Sequence, residues 1–141
     1  MTNTYINPPS LFSSQQYGFS QVVATQGGTT IYLSGQTAWD AQQDIGDPHD
    51  LGVQTQRTLH NIELAVQAAG GTRNDVVSIR VYIVGDHIHH NQPVSEALRQ
   101  FFHAERLPTS TFIGVTALAN PDFLIEIEAI AVVNSTNSGE M

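Results

Sequence analysis

The sequence predicts an α+β fold in which one mixed β-sheet carries two helices packed on a single face. Three observations support this. Short β-branched runs and two longer amphipathic stretches follow one another in the order β-β-β-α-β-α-β-β. The later strands alternate apolar and polar residues, as a sheet covered on one side requires. Each helical stretch carries one apolar stripe that needs a surface to cover it. Two β-α-β halves put both helices on one side, and the opposite sheet face, rich in Ile, Val and Tyr, then calls for closure by self-association.

Taken in order, residues 1–16 are polar and punctuated by Pro8-Pro9-Ser10, which reads as a short strand or arm followed by a loop. Tyr17 to Gln21 leads into a strand at Val22-Val23-Ala24. Gly27-Gly28 supplies a tight turn, and Thr29 to Ser34 is the return strand, so the chain opens with a hairpin. Gly35 to Pro48 is loop. Asp50 is an N-cap, and from Leu51 to Ala69 the residues Val53, Leu59, Ile62, Val66 and Ala69 fall mainly on one helical face before Gly70-Gly71 ends the helix. Asp75 to Val84 is a strand with Val77, Ile79, Val81 and Ile83 toward the helices and Ser78, Arg80 and Tyr82 away from them. After the Gly85–Asn91 loop, Pro93 sits in the first turn of a second helix reaching about Glu105, with Val94, Leu98, Phe101 and Phe102 as its buried stripe. Pro108 to Val133 reads as two strands joined by a turn at Ala119 to Asp122. Asn134 to Met141 is a polar tail expected to be disordered. With no internal repeat or second domain visible, 1–141 reads as one domain.

Composition narrows the chemistry. The chain has 141 residues, thirteen acids, five arginines (Arg57, Arg73, Arg80, Arg99, Arg106), no lysine and no cysteine. Lysine Schiff bases, thiolate nucleophiles, disulfides and thiolate metal sites are therefore excluded. A net charge of −8 argues against a broad phosphate-tracking surface, so no nucleic-acid partner is expected. No run of about 18 apolar residues is present and the amino terminus lacks a basic n-region and an apolar h-region, which makes the cytoplasm the expected compartment and no membrane partner the expectation.

In the last strand Ile125, Ile127, Ala129 and Ala131 point one way and Glu126, Glu128, Ile130 and Val132 the other. Two carboxylates then share a face with apolar neighbours. Lost hydration and mutual repulsion both raise a carboxylate pKa, which is one route to a proton-handling group near neutral pH. The same pattern also describes the solvated edge of a half-exposed strand. The run His87-Ile88-His89-His90 beside Asp86 has imidazoles at metal-binding spacing, but it lies in a loop with no remote ligand, and a solvated loop with no metal is the expectation. His60 and His103 read as structural histidines on helices. No G-x-S-x-G elbow, P-loop or G-x-G-x-x-G occurs. Trp39, the only tryptophan, suits either a cleft wall or interface packing. Gly35 and the backbone from Gly114 to Thr116 are candidates for presenting N–H and C=O groups to a ligand.

Six short strings in order resemble the Rid family (RidA, formerly YjgF), small proteins described as enamine/imine deaminases: Gly18-Phe19-Ser20-Gln21, Leu33-Ser34-Gly35-Gln36, the Asn61 helix ending Ala68-Ala69-Gly70, Asp75-Val76-Val77, Pro108-Thr109-Ser110-Thr111 and Ile125 to Ala131. The resemblance spans roughly Gly18 to Val133. It implies a chorismate-mutase-like fold and a homotrimer whose sheets line a central barrel, with three small-molecule clefts at the subunit interfaces and no cofactor. In deaminating members an arginine in a P-x-R-S string grips the substrate carboxylate, the first glutamate of IEIEA handles the attacking water, and an aromatic near G-x-S-Q lines the pocket. Glu126 matches the glutamate. Phe19 stands where a tyrosine is usual and Ser110 where the arginine is expected, with Tyr17 and Arg106 the candidates for replacing the lost groups. A serine hydroxyl does not substitute for a bidentate guanidinium clamp.

The resemblance therefore implies a hydrolase of C=N bonds acting on a small enamine or imine, and the departure at Ser110 implies an altered substrate preference, with a substrate lacking a carboxylate as one option. Glu126 would activate water, and Ser110, Phe19, Tyr17, Trp39, Gly35 and Thr111 would contribute to the binding cleft. A non-catalytic, metabolite-binding regulatory trimer is the alternative, and RNA cleavage is the least favoured by the acidic balance.

Overall fold

In the computed structural model, which describes residues 3–134, six strands and two main helices follow the expected order. They are β1 (Thr4–Ile6), β2 (Val22–Ala24), β3 (Thr29–Gln36), α1 (Leu51–Ala68), β4 (Val76–Val84), α2 (Gln92–Phe101), β5 (Thr109–Val115) and β6 (Ile125–Val133). Short 3-10 turns occupy Gln15–Tyr17, Arg73–Asp75 and Gly85–His90. From residue 135 onward, the tail expected to be disordered lies outside the described residues.

The main sheet has the order β3-β6-β4-β5. Strand β6 is antiparallel to both β3 and β4, so β3 and β4 run the same way, and β4 pairs parallel with β5. Each helix thus bridges two co-directional strands, which is the β-α-β logic that places both helices on one face. The opening hairpin does not form. Gly27 and Gly28 do turn the chain, with φ of 73° and 76°, but β2 pairs with β1 while β3 pairs with β6. Similarly, β5 and β6 are joined in sequence and not in the sheet, because β4 lies between them.

Burial follows the alternation except at the start of β4, where a register shift between Val76 and Ser78 puts Val76, and not the expected Val77, into the core cluster. Ile125, Ile127, Ala129 and Ala131 of β6 and Val76, Ile79, Val81 and Ile83 of β4 pack under Leu59, Ile62 and Val66 of α1 and Val94 and Leu98 of α2. On the other face stand Ser78, Arg80 and Tyr82 of β4, Glu126, Glu128 and Ile130 of β6, and a largely exposed Tyr32 of β3. Asp50 caps α1 by accepting the Val53 N–H at 3.0 Å. Val53 itself is exposed; the buried stripe of α1 instead includes Gln54, Thr55 and Thr58. Thr55 and Thr58 return their hydroxyls to the helix carbonyls four residues earlier, so their burial leaves no orphan group. Helix α2 is shorter than expected. Phe102 turns to extended backbone so that its ring is buried against Phe101, which leaves His103 beyond the helix. No described helix is long and apolar enough to cross a membrane.

Candidate functional site

Glu126 projects from the open face of β6, in register with Tyr82 of β4. It lines a cavity of about 270 Å³ with Gly35, Tyr82, Leu118 and Glu128. Its carboxyl is half-buried, and partial burial, reinforced by the charge of Glu128, raises its pKa above the ordinary glutamate value. Glu128 accepts a hydrogen bond from the Tyr82 hydroxyl, and that bond in turn raises the tyrosine pKa. The two carboxylates are thus unequal: Glu128 has a donor, whereas Glu126 faces the cavity. Gly35 explains how Glu126 fits. A Cβ built there would stand 2.9 Å from the Glu126 Cδ and closer still to its Oε2, so a larger residue at this position would push the carboxylate out of its present place.

Ser110 belongs to a different cavity of about 270 Å³. Four rings, Phe12, Tyr17, Phe19 and Phe112, supply most of its wall, and Asn91, Ser95 and Ser110 supply the polar groups. Phe12 meets Phe19 nearly edge-on at 6.1 Å and tilts toward Tyr17 at 6.4 Å. Gly18 sets this arrangement. It takes φ of 92° to close the 3-10 turn, and a Cβ would press to 2.9 Å of Leu98 Cβ, so the arm bearing Tyr17 and Phe19 lies directly on α2. The Asn91 amide donates to the Ile88 carbonyl at 2.8 Å. The Ser110 Oγ is buried and has no hydrogen-bond partner.

Within one chain these two groups do not meet. Ser110 pairs with Ile79, in a row facing the helices, whereas Glu126 pairs with Tyr82, in a row facing away. They lie two strands and three residues apart, roughly 14 Å by strand geometry, on opposite faces of the sheet.

The remaining candidates sit elsewhere. Thr111 is exposed on the open face in register with Arg80 and lines neither cavity. Trp39 packs edge-on over the buried Phe123 at 4.9 Å, with its backbone carbonyl held by the Asn61 amide at 2.7 Å, and it too lines neither cavity. Arg106 is drawn toward Asn74 and the Tyr5 ring rather than toward Ser110. The histidine turn is exposed at His89 and His90, with His90 Nε2 3.3 Å from Asp86 Oδ2, and among the described residues no group of three or more His, Asp or Glu could hold a metal ion.

Sequence reasoning missed Tyr82, Phe12, Phe112, Asn91, Ser95 and Leu118. Tyr82 was detectable, since strand alternation puts it on the face that carries Glu126. Phe12, Asn91 and Ser95 reach Ser110 only through the packing of the arm on α2, for which the sequence carries no periodic signal.

The family model described as Endoribonuclease L-PSP matches residues 13–133. A RutC family protein of Pyrococcus abyssi is 32% identical over 115 residues, 80% of this chain and 84% of the relative. A protein of Dermatophagoides farinae named 2-iminobutanoate/2-iminopropanoate deaminase is 26% identical over 110 residues, 78% of this chain and 83% of its own. The crystal structure of a Rid-family protein of unknown function from Yersinia pestis superimposes with a TM-score of 0.89 at 36% identity, covering 94% of this chain and all of that one.

Proposed function

We propose that this chain, which belongs to the endoribonuclease L-PSP family of Rid (YjgF) proteins, is a hydrolytic deaminase of a small enamine or imine with an altered substrate preference. The observation that carries the reading is Glu126: a half-buried carboxylate with a raised pKa, given room by Gly35 and facing a cavity. The deaminase name of the Dermatophagoides relative supports the same chemistry at 26% identity.

The chemistry is balanced without a cofactor. An enamine tautomerises to an imine, and its protonated form has an electrophilic carbon. Glu126 accepts a proton from water as the oxygen bonds to that carbon, giving a carbinolamine. The proton returns from Glu126 to nitrogen; as the C–N bond breaks and ammonia leaves, the hydroxyl proton passes to the freed Glu126 carboxylate and from there to water, and the carbonyl forms. General-base help of this kind contributes about 10²–10⁴-fold. A pKa raised toward neutrality suits a group that must both take and return a proton.

The working unit is a homotrimer with clefts between subunits. Glu126 and Ser110 face opposite sides of one sheet, so a single cleft that uses both requires a second copy, and the open sheet face with Tyr32, Ile113 and Ile130 is a surface such a copy would cover. The cytoplasm is the proposed location. One feature favours a second reading, a non-catalytic metabolite-binding trimer: Ser110 stands where deaminating members use an arginine. Membership does not bring RNA cleavage with it, since a chain of net charge −8 without lysine is poorly suited to polyphosphate.

Ammonia release from imines generated in situ, carboxylated and neutral, tests the proposal. Glu126→Gln should lose about 10²–10⁴-fold in rate while keeping the oligomeric state on light scattering. Full turnover in that variant would remove Glu126 from the mechanism. Saturable binding by the wild type with no ammonia from any imine would favour the second reading.

A further inference from the structure

We propose that the Ser110 cavity takes the neutral, ring-bearing or branched apolar end of the ligand, in place of gripping a carboxylate. This rests on the reading of the cleft given above and names the class of ligand it would accept.

The first argument is the placement of every cationic side chain. Arg57 donates to the carbonyls of Ala38 at 3.1 Å and Asp44 at 2.6 Å. Arg73 is held by Glu63 at 2.9 and 2.6 Å and lies over the Phe101 ring. Arg80 lines a separate cavity on the opposite face with Ser78 and Glu128. Arg106 lies by Asn74 and Tyr5. Arg99 comes nearest, lining an adjoining cavity, but its Nη1 donates to the Gln16 carbonyl at 2.5 Å and it shares that cavity with Glu96. The chain has no lysine, and no arginine lines the Ser110 cavity. A carboxylate placed there would lose its water and gain no counter-charge from its own chain.

The second argument is the wall itself. Phe12 and Tyr17 remain 61% and 47% exposed, although a chain of this size has a core in which to bury rings. Together with Phe19 and Phe112 they line the cavity and present apolar faces and edges to its contents. Such a wall rewards a flat or branched apolar group.

The third is the polar part of the lining, Asn91, Ser95 and Ser110, which is neutral throughout. Such groups offer a ligand neutral hydrogen bonds and no ionic partner. A neutral polar rim and four rings describe an amide, ketone or imine carrying a ring.

Benzamide and benzoate separate these possibilities, because they share a ring and differ in charge. Titration of the wild type by calorimetry should give at least tenfold tighter binding of benzamide. Ser110→Arg should invert the preference, and Phe19→Ala should weaken benzamide at least fivefold. Equal or tighter binding of benzoate by the wild type would overturn the proposal, as would no detectable benzamide binding or an unchanged preference in Ser110→Arg. The hydrolytic reading is scored separately by ammonia release. Benzamide preference without ammonia release leaves this inference standing and removes hydrolysis; ammonia release with benzoate preference does the reverse.

Discussion

Gln54 is fully buried in α1, and its amide makes three hydrogen bonds to the loops at the end of the sheet. Nε2 donates to the Asp47 carbonyl at 3.1 Å and to the Asp122 carbonyl at 2.9 Å, while Oε1 accepts the Leu124 N–H at 2.9 Å. Replacing it with leucine keeps the volume and removes all three. The Leu124 N–H is buried and loses its only side-chain partner, a penalty of about 1–3 kcal/mol; the two carbonyls are partly exposed and regain some water, adding about 1 kcal/mol together. Leucine's apolar burial offsets little of this, because the side chain would face carbonyl oxygens. The expected loss is about 3 kcal/mol, or roughly 6–12 °C in melting temperature for a chain of this length. Urea unfolding at fixed protein concentration, with an unchanged m-value, measures it. A loss below about 1 kcal/mol would refute the argument that this amide fastens the 120–124 loop to α1. Because β6 begins at Ile125, directly after that loop, the same variant should loosen the placement of Glu126.

Two further predictions concern Glu126 itself. Its folded pKa is raised, so between the ordinary glutamate value of about 4.3 and the folded value the unfolded chain releases the proton first, and stability falls as pH rises through that window. Glu126→Gln should therefore melt higher than the wild type at pH 7, with the gap closing in acid; a wild type that gains on the variant with rising pH would contradict the sign. Gly35→Ala should displace the Glu126 carboxylate and cost at least tenfold in ammonia release while the protein stays folded by circular dichroism, and an unaffected rate would show that the carboxylate relocates without consequence.

Strand alternation in the sequence identified which side of β4 and β6 meets the helices, because period-two burial is a local property of each strand. Pairing is not local. The turn at Gly27-Gly28 has hairpin chemistry, yet β3 gains more by joining β6 along Thr29 to Gln36 than by pairing with the three residues of β2, which are taken by Thr4 to Ile6. The same limit governed the site. Glu126 was legible because two carboxylates in an apolar strand are chemically out of place, and Ser110 because it breaks a familiar string. Thr111, also expected in the cleft, follows Ser110 directly, but one residue along a strand is one face away, and the sheet places it beside Arg80. That geometry also sharpens the functional reading. If Ser110 and Glu126 act on one ligand, the helix-side edge of one sheet must be brought against the open face of another, so activity should depend on assembly. A dissociated chain would keep both cavities and still be unable to use them together.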